Sequence, residues 1–185
     1  MKDKSEPMDH RIRERIVELE KQHNVSLSTV QKILLTIEGQ IVTILDVLYG
    51  NVHIFIIDQR ITEADKETAE KLEINEGDKI DVREVIVHKN GRPLVYAKSY
   101  IPKDVCSDTI IEELFNEKST TSRIMMEHEI ETRRKIKNIT IEKPSALISS
   151  LFNSTEDMLT RDYVMIHEKK IIIWTKEAYP LSHFR

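Results

Sequence analysis

The sequence predicts an α+β fold with one largely antiparallel β-sheet and flanking helices. Helical patterns group in the first quarter and the middle of the chain, whereas strand patterns occur in pairs joined by short turns. The chain has 185 residues, 39% hydrophobic and 32% charged, which suits one sizeable core rather than two. We therefore expect a single domain over residues 1–185, with residues 1–32 as an N-terminal helical extension.

The first quarter of the chain is predicted to be helical. Apolar residues recur at positions i, i+4 and i+7 over residues 8–22, as in an amphipathic helix. A second helix is expected to begin at Ser28, because Gln31 stands three residues later as in a capping box. Gly39 interrupts the apolar pattern, which then resumes, so this helical region is expected to be broken there.

Three segments have strand character. Residues 52–58 are rich in β-branched and aromatic side chains. Residues 79–102 read as two strands around an Asn-Gly turn, and residues 160–180 as a second hairpin. Between the first two segments, Thr62 with Asp65 is expected to open a short helix.

The middle of the chain is predicted to be helical again. An apolar helical pattern covers residues 110–115, and residues 123–139 contain acid-to-base pairs at i, i+4 that favour a surface helix. Pro144 is expected to start another short helix that ends near Phe152.

The two hairpins resemble each other in sequence. The spacing from Arg83 to Pro102 equals that from Arg161 to Pro180, and similar residue types recur at nearby positions. Duplication of one hairpin is one interpretation. Chance similarity between amphipathic hairpins is the other, and the prediction of an antiparallel sheet needs neither.

Composition argues against several classes of partner. The formal net charge of −4 disfavours a surface built throughout for nucleic acid. The single cysteine, Cys106, rules out an internal disulfide and a cysteine zinc cluster. The first 20 residues carry alternating charges and no apolar run of signal-peptide or membrane-span length. We expect a cytoplasmic protein with neither nucleic acid nor membrane as partner, and the sequence leaves the oligomeric state open.

Known site motifs are missing from the sequence. It contains neither a GxGxxG nor a GxxxxGK[ST] phosphate loop, and its histidines show no HExxH spacing, so no metal site is predicted. Residues 24–35 have the pattern of the second half of a helix-turn-helix. Only one helix precedes them, whereas a DNA-reading unit needs three helices and usually a basic surface, so we do not expect DNA binding.

Two charged residues fall on the apolar faces of predicted strands. Side chains alternate along a strand, so Arg83 should point the same way as Val85, and Glu177 the same way as Ile173. Buried ions are normally paired or receive a ligand of opposite charge. The two residues therefore indicate either a structural salt bridge, with each other or with Asp and Lys neighbours, or a pocket with a cation for a carboxylate at one end and an acidic acceptor at the other. If the Asn-Gly turn is a two-residue loop, Lys98 lies opposite Arg83 on the same face, which favours the anion site. Alternatively, the Lys98 side chain extends its ammonium group to water.

The order and spacing of four segments resemble the chorismate pyruvate-lyase family, in particular its archaeal and mycobacterial branch. The segments are EGQIVTILDVLYGNVHIFIIDQRI (38–61), VREVIVHKNGRPLVYAKSYIP (82–102), TTSRIMMEHEIETRR (120–134) and TRDYVMIHEKKIIIWTKEAYP (160–180). The resemblance implies a chorismate lyase-like α+β fold with an internal ligand pocket closed by flaps.

The resemblance also implies site residues. Arg83 matches the arginine that binds the substrate carboxylate, and Glu177 the glutamate that faces the ring hydroxyl. Ile41 and Thr121 match positions that contact the substrate through main-chain groups, and Lys98 would add positive potential. Apolar surroundings would favour a protonated, hydrogen-bond-donating Glu177.

The implied reaction converts chorismate into 4-hydroxybenzoate and pyruvate without a metal or organic cofactor. Two departures concern pocket shape: Thr120-Thr121-Ser122 replaces a flap sequence that usually ends in glycine, and Val42 replaces a threonine. The ligand-binding domains of one class of bacterial transcription regulators share the fold. A non-catalytic sensor of a small aromatic or sugar acid is therefore the alternative function.

Overall fold

The computed structural model describes residues 8–105, Glu113, Ile124 and residues 128–185. Within these residues the fold is α+β, as the sequence predicts. No helix in the described part of the chain is long and apolar enough to cross a membrane. The predicted helix over residues 110–115 lies outside the described residues except for Glu113. Cys106 and the loop of residues 120–122 lie outside them as well.

The described strands form a six-stranded antiparallel sheet in the order β1-β2-β3-β6-β5-β4. Their bounds are β1 His53–Glu63, β2 Lys79–Lys89, β3 Arg92–Pro102, β4 Arg133–Glu142, β5 Met158–His167 and β6 Lys170–Pro180. The two predicted hairpins are thus confirmed. They meet at the centre of the sheet, where β3 pairs with β6.

Helices cover both faces of this sheet. Their bounds are α1 Met8–His23, α2 Thr29–Thr36, α3 Ile41–Tyr49, α4 Lys66–Leu72 and α5 Ala146–Phe152, and a 3₁₀ turn spans Lys103–Val105. The predicted capping box is present: Ser28 Oγ accepts a hydrogen bond from the Gln31 amide, and the Gln31 side chain accepts one from the Ser28 amide. The predicted break at Gly39 falls between α2 and α3.

Opposite faces of the sheet carry different cores. Buried apolar residues of α1, α2 and α3 pack with Val87, Val95, Ile173 and their neighbours on what we call the inner face. On the outer face, α4 packs over a cluster that includes Trp174, and α5 over one that includes Met158. Residues 1–32 were predicted to be an extension, and the described part of that segment contributes buried side chains to the inner core.

Two local predictions are wrong. Residues 133–139, expected to be helical, belong to β4. Ile136 and Ile139 are three residues apart, and a β-bulge at Lys137 inserts one residue between them. Both isoleucines are therefore buried on the inner face, and pairing with β5 outweighs i, i+4 ion pairs worth a few tenths of a kcal/mol each.

The start of α4 also differs from the prediction. Thr62 lies in β1, and Asp65 itself is the N-cap of α4, its carboxylate accepting a hydrogen bond from the Thr68 amide at 2.8 Å. The helix therefore begins after Asp65 rather than at Thr62. The short helix after Pro144 is confirmed, with Ser145 as its N-cap.

The six described strands belong to two similar β-α-β-β units. The first runs through β1, α4, β2 and β3, and the second through β4, α5, β5 and β6. α4 and α5 have equal lengths, as have β3 and β6, and Lys98 pairs with Lys176 where the units meet. This arrangement favours the duplication interpretation of the hairpin similarity, because the likeness extends to a preceding strand and helix.

Candidate functional site

A pocket opens on the inner face of the sheet where the two units meet. Its cavity volume is about 60 Å³, and the pocket is partly open to solvent. The described residues that line it come from the start of α3 and from five strands: Gln40, Ile41, Val42, Arg83, Val85, Val87, Val95, Ala97, Ser99, Arg134, Tyr163, Met165, Thr175 and Glu177. Half of them are aliphatic residues or methionine, and polar groups from the other half converge among them, as in a small-molecule site.

Arg83 lies where the strand alternation predicts, on the pocket side of β2 with Val85 and Val87. Only 2% of the residue is exposed, and burial lowers the pKa of its guanidinium, against the opposing effect of Asp81. Asp81 is fully buried, and burial raises its pKa although Gln59 donates a hydrogen bond to it at 2.8 Å. A buried guanidinium at an apolar pocket wall is suited to binding a carboxylate.

Lys98 does not lie opposite Arg83, so that prediction is wrong. Leu94 is an extra residue in β3, and this bulge shifts the pairing of the two strands by one position. A shift of one residue moves a side chain to the other face of the sheet. Ser99 therefore lies opposite Arg83, while Lys98 pairs with Glu84 on the outer face, at 2.9 Å.

Glu177 lines the pocket as predicted, but its surroundings are not simply apolar. Arg161, directly opposite on β5, donates from Nε to Glu177 Oε2 at 2.6 Å, and the Tyr163 hydroxyl donates to Oε1 at 3.2 Å. Burial raises the pKa of Tyr163 to about 12, so its hydroxyl remains a donor at neutral pH. Both carboxylate oxygens therefore accept hydrogen bonds from neighbouring side chains.

The salt-bridge interpretation is thus correct in part. Glu177 is paired with Arg161 rather than with Arg83. In the first unit, the pair that corresponds to Arg161 and Glu177 is Arg83 and Ser99. The Ser99 hydroxyl lies 2.9 Å from the Thr175 hydroxyl. A neutral serine therefore stands in the first unit where the second has a carboxylate. The two units contribute different chemistry to one pocket.

Ile41 brings main-chain donors to the pocket. It is the first residue of α3, and Gln40, Ile41 and Val42 all line the pocket. The N-cap Gln40 makes no side-chain capping hydrogen bond. The first amides of a helix have no intrahelical acceptor and carry partial positive charge. This end of the pocket therefore offers N–H donors to an anionic or carbonyl group.

Two arginines hold the segment that leads into α3. Arg161 Nη1 donates to the Ile37 carbonyl at 2.8 Å, and Arg134 Nη1 donates to the Glu38 carbonyl at 3.1 Å. Arg134 also lies with its guanidinium carbon 5.6 Å from the centre of the Tyr163 ring. The position of Ile41 therefore depends on side chains of β4 and β5.

Sequence reasoning missed Arg134, Arg161 and Tyr163. Arg134 was missed because residues 123–139 were predicted to form a surface helix, whereas Arg134 lies in β4. The equal spacing in the two hairpins was the signal for Arg161, because it equates Arg161 with Arg83. Thr121, the remaining predicted contact, lies outside the described residues.

Solved structures show the same fold. A GntR-family transcriptional regulator from Bacillus cereus superposes with a TM-score of 0.62 at 18% identity, covering 72% of this chain and 94% of that chain. The effector domain of PhnF from Mycobacterium smegmatis gives 0.59 at 15% identity, covering 70% and 81%. At these identities the similarity establishes the chorismate lyase-like α+β fold alone.

Sequence comparisons establish the family. A protein from Methanocaldococcus jannaschii named "Putative lyase MJ0807" is 30% identical over 156 residues, which cover 80% of this chain and 77% of the relative. The family model described as chorismate pyruvate-lyase Rv2949c-like matches residues 35–185, a stretch that includes the pocket residues on α3 and the strands. The chain belongs to the Rv2949c-like chorismate pyruvate-lyase family.

Proposed function

We propose that this protein is a chorismate pyruvate-lyase that converts chorismate into 4-hydroxybenzoate and pyruvate. The observation that carries the proposal is the pair of buried, oppositely charged residues, Arg83 and Glu177, that face one pocket in a chain of this family. Chorismate has a ring carboxylate at one end and a hydroxyl on the opposite ring carbon. A pocket with a cation and a carboxylate acceptor matches these two groups.

The reaction is an elimination that makes the ring aromatic. The C4–H bond and the bond from C3 to the ether oxygen break, and the ring keeps its C4 hydroxyl. The enolpyruvyl group leaves as enolpyruvate, the C4 proton is released, and one proton taken up at the methylene carbon gives pyruvate. Atoms and charges balance without any oxidant or reductant. The protein therefore has to orient chorismate and stabilise the negative charge that develops on the leaving oxygen.

Each site group has a role in this proposal. Arg83 binds the ring carboxylate, and the amides at Ile41 and Thr121 make main-chain contacts with the substrate. Glu177 accepts a hydrogen bond from the C4 hydroxyl, which orients the C4–H bond relative to the leaving group. Arg161 and Tyr163 are positioning residues, because they hold the Glu177 carboxylate in place. Lys98 has no contact with the substrate, since it lies on the outer face.

Incubation of the purified protein with chorismate tests the proposal. We expect 4-hydroxybenzoate, detected by its ultraviolet absorbance and by chromatography, and an equal amount of pyruvate, measured with lactate dehydrogenase and NADH. A parallel incubation without protein corrects for spontaneous decay of chorismate. The proposal is wrong if neither product exceeds this background at stoichiometric protein concentration.

A sensor of a small organic acid is the second candidate function, favoured by the structural similarity to GntR-family regulators. Such a sensor would bind an aromatic or sugar acid tightly without converting it. Calorimetric titration with 4-hydroxybenzoate and with a sugar acid such as gluconate, together with the turnover assay, distinguishes the two functions. Tight binding of gluconate without chorismate turnover would support the sensor.

A further inference from the structure

The charge of chorismate requires a second cationic contact. The substrate carries two carboxylates, one on the ring and one on the enolpyruvyl group, whereas the product 4-hydroxybenzoate carries only the ring carboxylate. Burying a carboxylate without a compensating partner is costly. Arg83 accounts for one of the two, so the pocket needs a partner for the other.

Arg134 meets this requirement by position. The cationic side chains among the described lining residues are Arg83 and Arg134. They belong to β2 and β4, between which β3, β6 and β5 intervene, so they reach the pocket from opposite sides. A ligand between them would have its two negative groups at opposite ends or flanks.

The other nearby cations are committed elsewhere. Arg161 is 1% exposed, donates to Glu177 and to the Ile37 carbonyl, and is absent from the described pocket lining. Lys98 pairs with Glu84 on the outer face. Arg134, in contrast, lines the pocket, although its Nη1 also donates to the Glu38 carbonyl.

We propose that Arg134 binds the enolpyruvyl carboxylate of chorismate and so gives the pocket its preference for a dicarboxylate over a monocarboxylate. The substrate identity in this inference rests on the proposed function. The carboxylate that Arg134 binds leaves with pyruvate, so the contact is lost when the product forms. Arg134 therefore stabilises the substrate and its departing group but not bound 4-hydroxybenzoate.

The bond from Arg134 to the Glu38 carbonyl provides a competing explanation. Through it, Arg134 could act only as a support for the segment before Ile41. Loss of that support would disturb a contact common to substrate and product, and both ligands would then bind more weakly. A selective effect on the dicarboxylate thus distinguishes ligand binding from support.

The first test compares wild type with Arg134→Gln and with Arg133→Gln, a matched control. Arg133 precedes Arg134 on β4, is exposed and does not line the described pocket. We expect Arg134→Gln to lower kcat/KM for chorismate at least tenfold, while inhibition by 4-hydroxybenzoate changes less than threefold. Arg133→Gln should change neither. An Arg134→Gln enzyme within twofold of wild type, or equally weakened for both ligands, would overturn the inference.

A binding test stays valid if chorismate is not the substrate. Calorimetry with 3-(carboxymethoxy)benzoate, a dicarboxylate, and 3-methoxybenzoate, a monocarboxylate, measures the preference directly. Wild type should prefer the dicarboxylate at least tenfold, and Arg134→Gln should lose that preference. A wild-type protein without the preference overturns the inference even when chorismate is turned over. Absence of turnover with an Arg134-dependent preference refutes only the lyase proposal.

A folding defect in Arg134→Gln is controlled with Arg134→Lys, which keeps the charge but not the fork geometry. If Arg134 binds the carboxylate, the lysine variant should retain part of the dicarboxylate preference. Circular dichroism melting curves establish that each variant is folded. A folded lysine variant whose binding of both probes falls equally would contradict the inference.

Discussion

Arg161 and Glu177 form a buried ion pair across β5 and β6, with Nε and Oε2 2.6 Å apart and 1% and 6% of the side chains exposed. Removing one partner leaves an uncompensated buried charge. We expect Arg161→Gln to lower the free energy of unfolding by about 3–5 kcal/mol, measured by urea denaturation. Lys32→Gln is the control, because Lys32 pairs with Glu20 at the surface and should cost less than about 1 kcal/mol. Equal, small losses in both variants would mean that the buried pair does not stabilise the fold.

Replacing Arg83 should weaken every carboxylate ligand of the pocket. A hydrogen bond to a charged group contributes about 1.5–3 kcal/mol, so Arg83→Gln should raise KM for chorismate and the Kd for 4-hydroxybenzoate roughly 10- to 100-fold. Arg83→Lys should restore only part of this, because lysine cannot bind a carboxylate through a planar fork. Calorimetry and initial rates measure both effects.

Lys98→Gln is the matched control for Arg83. Both residues were expected at the site, but the bulge at Leu94 places Lys98 on the outer face. We expect this variant to bind 4-hydroxybenzoate like wild type. A loss of affinity comparable to that of Arg83→Gln would contradict the assignment of Lys98 to the outer face.

Glu177→Gln separates catalysis from stability. The neutral amide is a weaker acceptor for the C4 hydroxyl than the carboxylate, so kcat should fall roughly 10- to 100-fold, the loss expected for one hydrogen bond to a charged group. It also leaves Arg161 without its anionic partner and should destabilise the protein. In the double variant with Arg161→Gln, the unpaired charge of Arg161 is also removed. The double variant should therefore recover part of the stability but none of the activity. Recovery of kcat in the double variant would mean that Glu177 acts only through the fold.

The sequence predicted the hairpins, the helix cap at Ser28 and the inward direction of Arg83 and Glu177 because these follow from local chemistry. Alternation of side chains along a strand and the preference of Asn-Gly for a tight turn depend on neighbouring residues only. The family resemblance then supplied a ligand for the two charges.

Bulges account for much of what the sequence did not reveal. Lys137 and Leu94 each add one residue to a strand. The bulge at Lys137 gives Ile136 and Ile139 a three-residue spacing within a strand. The bulge at Leu94 places Lys98 on the outer face, opposite to the face that the sequence predicted. Neither bulge has a glycine to mark it. The partner of Glu177 was missed for another reason: Arg161 lies on a neighbouring strand, and the strand order determines which charges meet.

Titration of Asp81 should make stability depend on pH. Burial raises its pKa, so the folded state favours the protonated carboxyl more than the unfolded state does. Its stabilising contribution is fully present below the unfolded pKa of about 3.9 and is lost as the pH rises through the higher folded pKa. Relative to Asp81→Asn, wild type should therefore lose stability as the pH rises from about 4 towards neutrality. Urea denaturation of both proteins at several pH values measures their free energies of unfolding. If the difference between wild type and Asp81→Asn stays constant, or shifts in favour of wild type as the pH rises, the prediction is wrong.

Ser99→Glu tests whether the asymmetry between the two units makes the carboxylate site. Ser99 lies opposite Arg83 as Glu177 lies opposite Arg161, so a glutamate there should pair with Arg83 as Glu177 pairs with Arg161. The protein should stay folded, because the new acid finds a cation, but the affinity for 4-hydroxybenzoate should fall at least about tenfold, the equivalent of 1.4 kcal/mol. Ser99→Gln is the control of similar size, and its smaller loss of affinity would assign the effect to charge. If the two variants bind 4-hydroxybenzoate equally well, the charge of the residue opposite Arg83 does not determine the affinity of the pocket for a carboxylate.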